Sequence, residues 1–517
     1  MHRSKTLRRV AGITVAGGLL VAVLPGAAIA DSPHPNPTTP YVVLTGAAGA
    51  GTVVPLINSG DVFDGETFEG IPDGIGVVPV DATHVDLYVA FEQSHVPFQG
   101  FADFEDSSVH RLRVHIPTRQ VVEQELVLSA DEGFIRFCSA FMAGPAEGFD
   151  RWTMLLNEES DDVIAVPAGA TYGADRAVAP YRQAGYTVAL DVESGEVTPI
   201  SRLGRHNHEN AVPVPGGWKD LAILSGDDTF NAPSSQLYLY TAKDDDALLA
   251  DKGQLWAFQV TRTDEGAVDP YDPFNDANDY LEISPGETWG GRFIHVPTDV
   301  ARGRTGERPQ AALENWSNAN NVFQFVRVED LAYDPGNPRV VYFADTGTNR
   351  LMESDTTGRL FRAATGGTTT NGRIFRIVLN EKDPRIVDEL SIVLDSGTIG
   401  MRNPDNLAVG ANSIMVQEDA SSAKVWRLDR TAGTWSHVAS VTHPASAQAA
   451  AAGESTGIVD VSDQFGDGWW ALDVQSHVNL TVGTTDLTYV TPLGGPTLTY
   501  RERREDGQLL LMHIPGS

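Results

Sequence analysis

The chain has 517 residues, of which 37 are Lys or Arg and 69 are Asp or Glu, for a net charge of −32 at neutral pH. That acid excess argues against nucleic acid and anionic membrane surfaces as partners and favours multivalent cations. A single cysteine excludes an internal disulfide, so stability must come from a large core or from bound metal.

Residues 1–30 carry the pattern of an export signal. Arg3, Lys5, Arg8 and Arg9 form a basic start, an apolar run extends from Val10 to Leu24, and Ala28-Ile29-Ala30 is a small-residue cleavage site. The run is too short for a membrane anchor. Arg8-Arg9 fits either Sec export or the twin-arginine route. The protein is therefore expected to be secreted, outside the cytoplasm, with no membrane anchor. Residues 31–40 read as a Pro-rich extended leader. Residues 41–517 read as a single domain, expected to be monomeric.

From Tyr41 onward short β-rich segments dominate and helical periodicity is scarce. Strands are predicted over 108–114, 186–190, 236–241, 254–260, 339–344, 373–378 and 424–428, each with branched or aromatic residues at alternate positions. Leu237-Tyr238-Leu239-Tyr240, Leu255-Trp256-Ala257-Phe258, Ile374-Phe375-Arg376-Ile377 and Val425-Trp426-Arg427-Leu428 look like one recurring element. Asp191-Val192-Glu193-Ser194-Gly195 and Asp429-Arg430-Thr431-Ala432-Gly433 read as hairpin turns. A recurring strand–turn unit points to an all-β fold built of propeller blades, with a pair of packed sheets as the alternative. In a propeller the loops of all blades meet at one end of the channel, which would gather acidic clusters far apart in sequence. The polar segment 284–321, with Trp289, Arg292, Arg302, Arg304 and Trp316, breaks the pattern. It reads as a long inserted loop, either covering the site or making a surface excursion.

The chemistry-bearing residues fall in short acidic clusters beside apolar runs. Glu158-Glu159 follows Met154-Leu155-Leu156, and Glu418-Asp419 follows Ile414-Met415-Val416. In such a pair one carboxylate can bind a metal while its neighbour braces it, and charges at the end of a buried strand need partners. Many carboxylates suit Ca2+. Cys138 adds a soft thiolate, which suits a transition metal such as iron. Arg327 stands two residues before Glu329 and offers the planar fork that a phosphate ester needs, or else an ordinary carboxylate pair. His206 and His208 lack the helical spacing of a zinc site. Gly453-Glu454-Ser455-Thr456-Gly457 matches a nucleophile elbow only formally, because a strand follows it.

In this order the clusters resemble the PhoX-type alkaline phosphatases, from about Cys138 to about His477. Cys138 is followed by Glu158-Glu159, and Gly204-Arg205 by His208-Glu209. Then come Gly226-Asp227-Asp228, Arg327 with Glu329, and Pro404-Asp405-Asn406. Glu454-Ser455-Thr456-Gly457 with Gln475-Ser476-His477 closes the series. Each motif is short, and the shared order carries the resemblance. It implies a six-bladed β-propeller with a mixed iron–calcium (Fe3+, Ca2+) centre that hydrolyses small-molecule phosphate monoesters. On that basis Cys138, Glu209 and Glu329 would hold iron, while Glu158, Glu159, Asp228, Glu418 and Glu454 would hold calcium or bridge metals. Arg327 would clamp the phosphoryl group beside Glu329, and the metals would supply an oxide or hydroxide nucleophile. Two rivals are a calcium-stabilised secreted propeller with a binding or cell-surface role, and a calcium-dependent lactonase that needs neither iron nor thiolate.

Overall fold

The computed structural model describes residues 33–166, 180–229, 235–275, 277–421, 423–443 and 453–517. The predicted signal, residues 1–30, lies outside them. Strands apolar on both faces must be covered on both sides. Ile374, Phe375 and Ile377 are all buried, as a sheet wedged between two neighbouring sheets requires.

Six antiparallel sheets of this kind stand around a central channel. Their innermost strands, in chain order, are Pro72–Pro79, Phe137–Ala143, His208–Pro213, Val328–Asp334, Pro404–Val409 and Glu454–Asp460. Each pairs outward in a meander, as the fourth does with Asn337–Asp345, Arg373–Leu379 and Ile386–Asp395. Neighbouring inner strands touch all the way round, and Pro72–Pro79 meets both Phe137–Ala143 and Glu454–Asp460. The ring is closed, which makes the fold a six-bladed β-propeller. Strand Thr52–Asn58 closes it by pairing with Thr497–His513 as the outer edge of the last blade. Strand Val42–Leu44 adds an edge to the fifth blade.

The core lies between blades. Between the third and fourth, Phe258, Phe323, Phe325, Phe343 and Phe375 interlock, with the last two rings stacked 5.2 Å apart. The two predicted hairpin turns recur as one design. Gly195 and Gly433 have φ of 71° and 65°, and each donates its N–H to the carbonyl of the Asp four residues earlier at 2.8 Å.

The inserted segment 284–321 has structure of its own. Strand Trp289–His295 bridges the outer strands of the third and fourth blades and fuses them into one sheet. Helix Pro309–Ala319 follows, with Pro309 at its first turn. Its Gln310 accepts from the Asn207 N–H at 3.2 Å and donates its own N–H to Gln183 at 3.1 Å. The excursion thus braces the loops beside His208–Pro213. Among the described residues no helix is long and apolar enough to cross a membrane.

Candidate metal centre

One irregularity recurs in every blade. The pairing of the inner strand with its neighbour skips residues between Pro72 and Ile75, Phe137 and Ala140, His208 and Ala211, Val328 and Leu331, Pro404 and Leu407, and Thr456 and Val459. A bulge bends a strand and re-aims the side chain within it. The first bulged residues are Asp73, Cys138, Glu209, Glu329, Asp405 and Gly457. Five of the six blades therefore turn a ligand-type side chain into the channel at one equivalent position. The sixth has glycine, with φ of 60°, and a Cβ there would sit 2.2 Å from the Asp73 carbonyl oxygen. Only glycine allows so close an approach in that conformation.

The second strand of each blade supplies the next layer, and strand alternation decides which acid faces the pocket. Glu158 is opposite Phe137 in the ladder, and Glu418 is opposite Pro404. Both turn away from the pocket. Glu158 accepts from Arg182 at 2.5 Å and 2.8 Å and from the N–H groups of Ile135 and Tyr186. Glu418 accepts from the N–H groups of Arg402 and Lys424 and from the Trp426 indole. These two expected ligands are braces, because their oxygens are already satisfied by the loops they hold. The residues that follow, Glu159 and Asp419, line the pocket instead. Asp227 and Asp345 occupy the brace position in the third and fourth blades, opposite His208 and Val328.

Cys138, Glu159, Glu209, Asp228, Arg327, Glu329 and Glu454 come together in one cavity of about 480 Å³. Asp405 and Asp419 join them, and Asp73 and Glu92 approach Cys138. Four groups can be drawn in which the ligand atoms lie within 4.8 Å of one another: Asp73, Glu92 and Cys138; Cys138, Glu159 and Glu209; Glu209, Glu329 and Asp405; Asp405, Asp419 and Glu454. Shared members link the four into one run across the channel. Arg327 is forked onto Asp228 through Nε at 2.6 Å and Nη2 at 2.5 Å, and lies 3.3 Å from Glu329.

This crowding has an electrostatic signature. Burial, and then repulsion between neighbours, pushes the carboxyls of Asp73, Glu159, Glu209, Glu329 and Asp405 well above the usual carboxylate range. Burial and then Asp419 push Glu454 up to about 8. Burial, followed by Glu209 and Asp73, raises the Cys138 thiol as well. Both oxygens of Glu209 and one each of Asp73 and Asp405 are buried with no hydrogen-bond partner. Buried acceptors require donors or cations. A donor set of many carboxylates and one thiolate fits hard cations beside one softer metal.

The mouth of the pocket is different. It is walled by Ile71, Phe98, Gln99, Arg136, His477, Arg503 and Glu505. Ile71, Gln99, Arg136 and His477 all have φ between 51° and 52°, a region costly for non-glycine residues and concentrated at functional sites. Burial works against a charge on His477, but hydrogen bonds to Glu454 and Glu505 outweigh it and lift its pKa to about 11.

The sequence clusters missed Asp73 and Glu92 beside Cys138, and from the pair Glu418-Asp419 they took Glu418 as the ligand where Asp419 lines the pocket. Two signals were present. Pro72-Asp73-Gly74 repeats the form of Pro404-Asp405-Asn406, and Glu92 follows Phe91 as Glu159 follows Glu158. His206 and His208 stack with centroids 3.6 Å apart and lie off the pocket. His208 instead shares a hydrogen bond with the Ser225 hydroxyl at 2.9 Å. Glu454-Ser455-Thr456-Gly457 lies within strand Glu454–Asp460, so no nucleophile elbow forms.

A propeller whose inner strands deliver acids and one thiol to a channel mouth defines a class of metal-binding β-propellers. Within it, the family described as "Alkaline phosphatase PhoX" matches residues 138–464. The chain belongs to the PhoX alkaline phosphatase family, whose members are phosphomonoester hydrolases. Among solved structures it is similar to Pseudomonas fluorescens PhoX in complex with vanadate, a transition-state analogue. The two share 14% identity over 93% of this chain and 97% of that one, with a TM-score of 0.58. Hydrazine synthase of Kuenenia stuttgartiensis aligns with a TM-score of 0.30 at 11% identity, over 70% of this chain and 66% of that one, a likeness too slight to bear on function. Comparison with curated proteins gives no match.

Proposed function

We propose that this protein is a secreted, metal-dependent phosphomonoesterase with a mixed iron–calcium centre. Cys138, Glu209 and Glu329 would hold iron, with Glu159 joining Cys138 and Glu209. Asp405, Asp419 and Glu454 would hold calcium. Asp73 and Glu92 would complete the side of the thiolate. When bound, these metals would supply Lewis acidity and the attacking nucleophile.

The protein's own residues do the rest. Arg327, oriented by Asp228 and Glu329, would hold the phosphoryl oxygens and meet the charge that grows on them. The bulged strands fix the acids before substrate arrives, so the site needs little reorganisation. The observation that carries the reading is the linked run of four ligand groups in one pocket of a PhoX-family propeller. The vanadate complex of the Pseudomonas protein supports phosphoryl transfer as the chemistry. The sequence of residues 1–30 supports export, and a cleaved leader ahead of one propeller domain is part of the proposal.

The test is hydrolysis of 4-nitrophenyl phosphate by the purified mature protein, before chelation, after it, and after adding back Ca2+ and iron. Activity should vanish on chelation and return at least in part. Folded, metal-loaded protein with no activity on any aryl phosphate would sink the reading. Silent substitution of Cys138 by Ser, in active protein that contains no iron, would shift the metal assignment to calcium alone.

A further inference from the structure

Most of the metal end lies within the family match, Asp73 and Glu92 excepted, and the mouth lies outside it. Cys138, Glu159, Glu209, Arg327, Glu329 and Asp405 all lie within residues 138–464. Phe98, Gln99, Arg136, His477, Arg503 and Glu505 all lie outside it. The mouth is assembled from a loop of the first blade and the long strands of the last, where Phe101–Asp103 pairs in parallel with Arg501–Arg503.

Most cations at the pocket are already engaged. Arg327 is held by Asp228 and Glu329. Arg503 lies 2.7 Å from Glu505 and 3.5 Å from Asp103. His477 lies 2.7 Å from Glu505 and 3.7 Å from Glu454. Arg136 differs. Among the described residues its guanidinium has no hydrogen bond and no carboxylate within 4.0 Å; its charge acts on Glu92 and Asp103 from farther off, and the Phe98 ring lies beside it with centroid at 6.0 Å. Phe98 itself is 56% exposed, although its backbone is pinned to Phe101 by hydrogen bonds of 2.7 Å and 3.0 Å.

Arg136 is nevertheless held rigidly. Its φ is 51°, its N–H donates to the Gln93 carbonyl at 2.8 Å, and its carbonyl accepts from the N–H groups of Cys138 and Glu159, each at 2.9 Å. A strained residue tied to two pocket residues, with a planar cation whose N–H groups have no hydrogen-bond acceptor among the described residues and an open aromatic face beside it, is an arrangement for recognising an anion attached to a flat or apolar body. The phosphoryl group belongs to the metal end with Arg327, so the anion at Arg136 belongs to the other half of the ester.

We propose that Arg136 and Phe98 form a leaving-group subsite that selects phosphate monoesters whose alcohol carries a second anionic group, such as a carboxylate. The inference rests on the phosphatase reading for the identity of the substrate. It does not depend on that reading for the existence of the subsite.

The test compares phenyl phosphate with 4-carboxyphenyl phosphate in the metal-loaded enzyme, wild type against Arg136→Gln and Arg136→Glu. The ratio of the two kcat/KM values cancels any general loss of activity. Arg136→Gln should lower that ratio roughly tenfold, the worth of one charge-assisted hydrogen bond. Arg136→Glu should lower it further. Equal losses on both substrates would overturn the proposal and assign Arg136 to the phosphoryl group or to the fold. Binding of 4-phosphonobenzoate and phenylphosphonate by calorimetry separates the two claims. If the wild type hydrolyses neither ester, the phosphatase reading fails. A roughly tenfold weaker binding of the carboxylated ligand alone in Arg136→Gln would still support the subsite, and unchanged binding of both would overturn it.

Discussion

The two halves of the pocket wall solve opposite problems. At the metal end, acids from separate blades are forced together, and bulges, buried braces and a glycine hold them against their own repulsion. At the mouth, the engaged cations and acids are arranged in pairs, and Arg136 is left out of the pairing. The metal end is built from inner strands, where position is set by the ring itself. The mouth is built from a loop and a hairpin that the ring does not dictate. Conformational strain follows the same division. Asp73, Cys138, Glu209, Glu329 and Asp405 are placed by bulges without a positive φ, whereas Ile71, Gln99, Arg136 and His477 are placed by one.

The sharpest test of the metal end lies at its braces. In Glu158→Gln the fully buried Arg182 loses the Glu158 carboxylate, and the protein should lose about 3–5 kcal/mol in a urea melt even without metal. Glu159→Gln, one residue away, should remove metal and activity while leaving the chelated protein at least as stable, because a carboxyl that its neighbours resist ionising is replaced by a neutral amide of the same shape. If both variants lose stability alike, the division between brace and ligand fails. Glu209→Gln should cost at least about a hundredfold in kcat/KM, with a matching drop in bound metal by elemental analysis.

Acidity gives a third test. The Glu454 carboxyl, raised from 4.5 to about 8, keeps its proton in the fold where the unfolded chain has lost it. The folded state then binds more protons, so the stability of chelated protein should fall as pH rises from 4.5 through about 8. Bound Ca2+ should flatten that slope, since a cation takes the place of the protons. Urea melts at both ends of the window, with and without Ca2+, check it, and equal stability of the chelated protein at both ends would break the account. Gly457→Ala should cost about 1–3 kcal/mol, since its Cβ meets the Asp73 carbonyl in a conformation strained for alanine. The smallest effect belongs to the mouth. Phe98→Ala should raise KM for aryl phosphates a few-fold and leave metal content untouched.

The sequence shows the outer parts of the blades better than the inner ones. The predicted segments 236–241, 373–378 and 424–428 became strands Leu237–Ala242, Arg373–Leu379 and Lys424–Asp429, each the third strand of its blade. Such strands are buried between blades and alternate cleanly. The innermost strands do not, because each carries a polar residue and a bulge near its start, which breaks the period on which strand recognition depends. The same bulges explain the errors in the acid pairs. Glu158 and Glu159 are equally acidic and adjacent, and only the register against Phe137 decides which one reaches the pocket. Helix Pro309–Ala319 was hidden for another reason, since its buried face includes Gln310 and Ser317 and gives little apolar rhythm.

The closing strand also governs when the site can come into being. Thr52–Asn58 has no partner until Thr497–His513 has been made, and the carboxylates are drawn from strands throughout the chain between them. A nascent chain on the ribosome therefore holds scattered acids with no geometry to gather them. Metal loading must wait for closure, so the compartment in which the ring shuts determines which ions the protein meets.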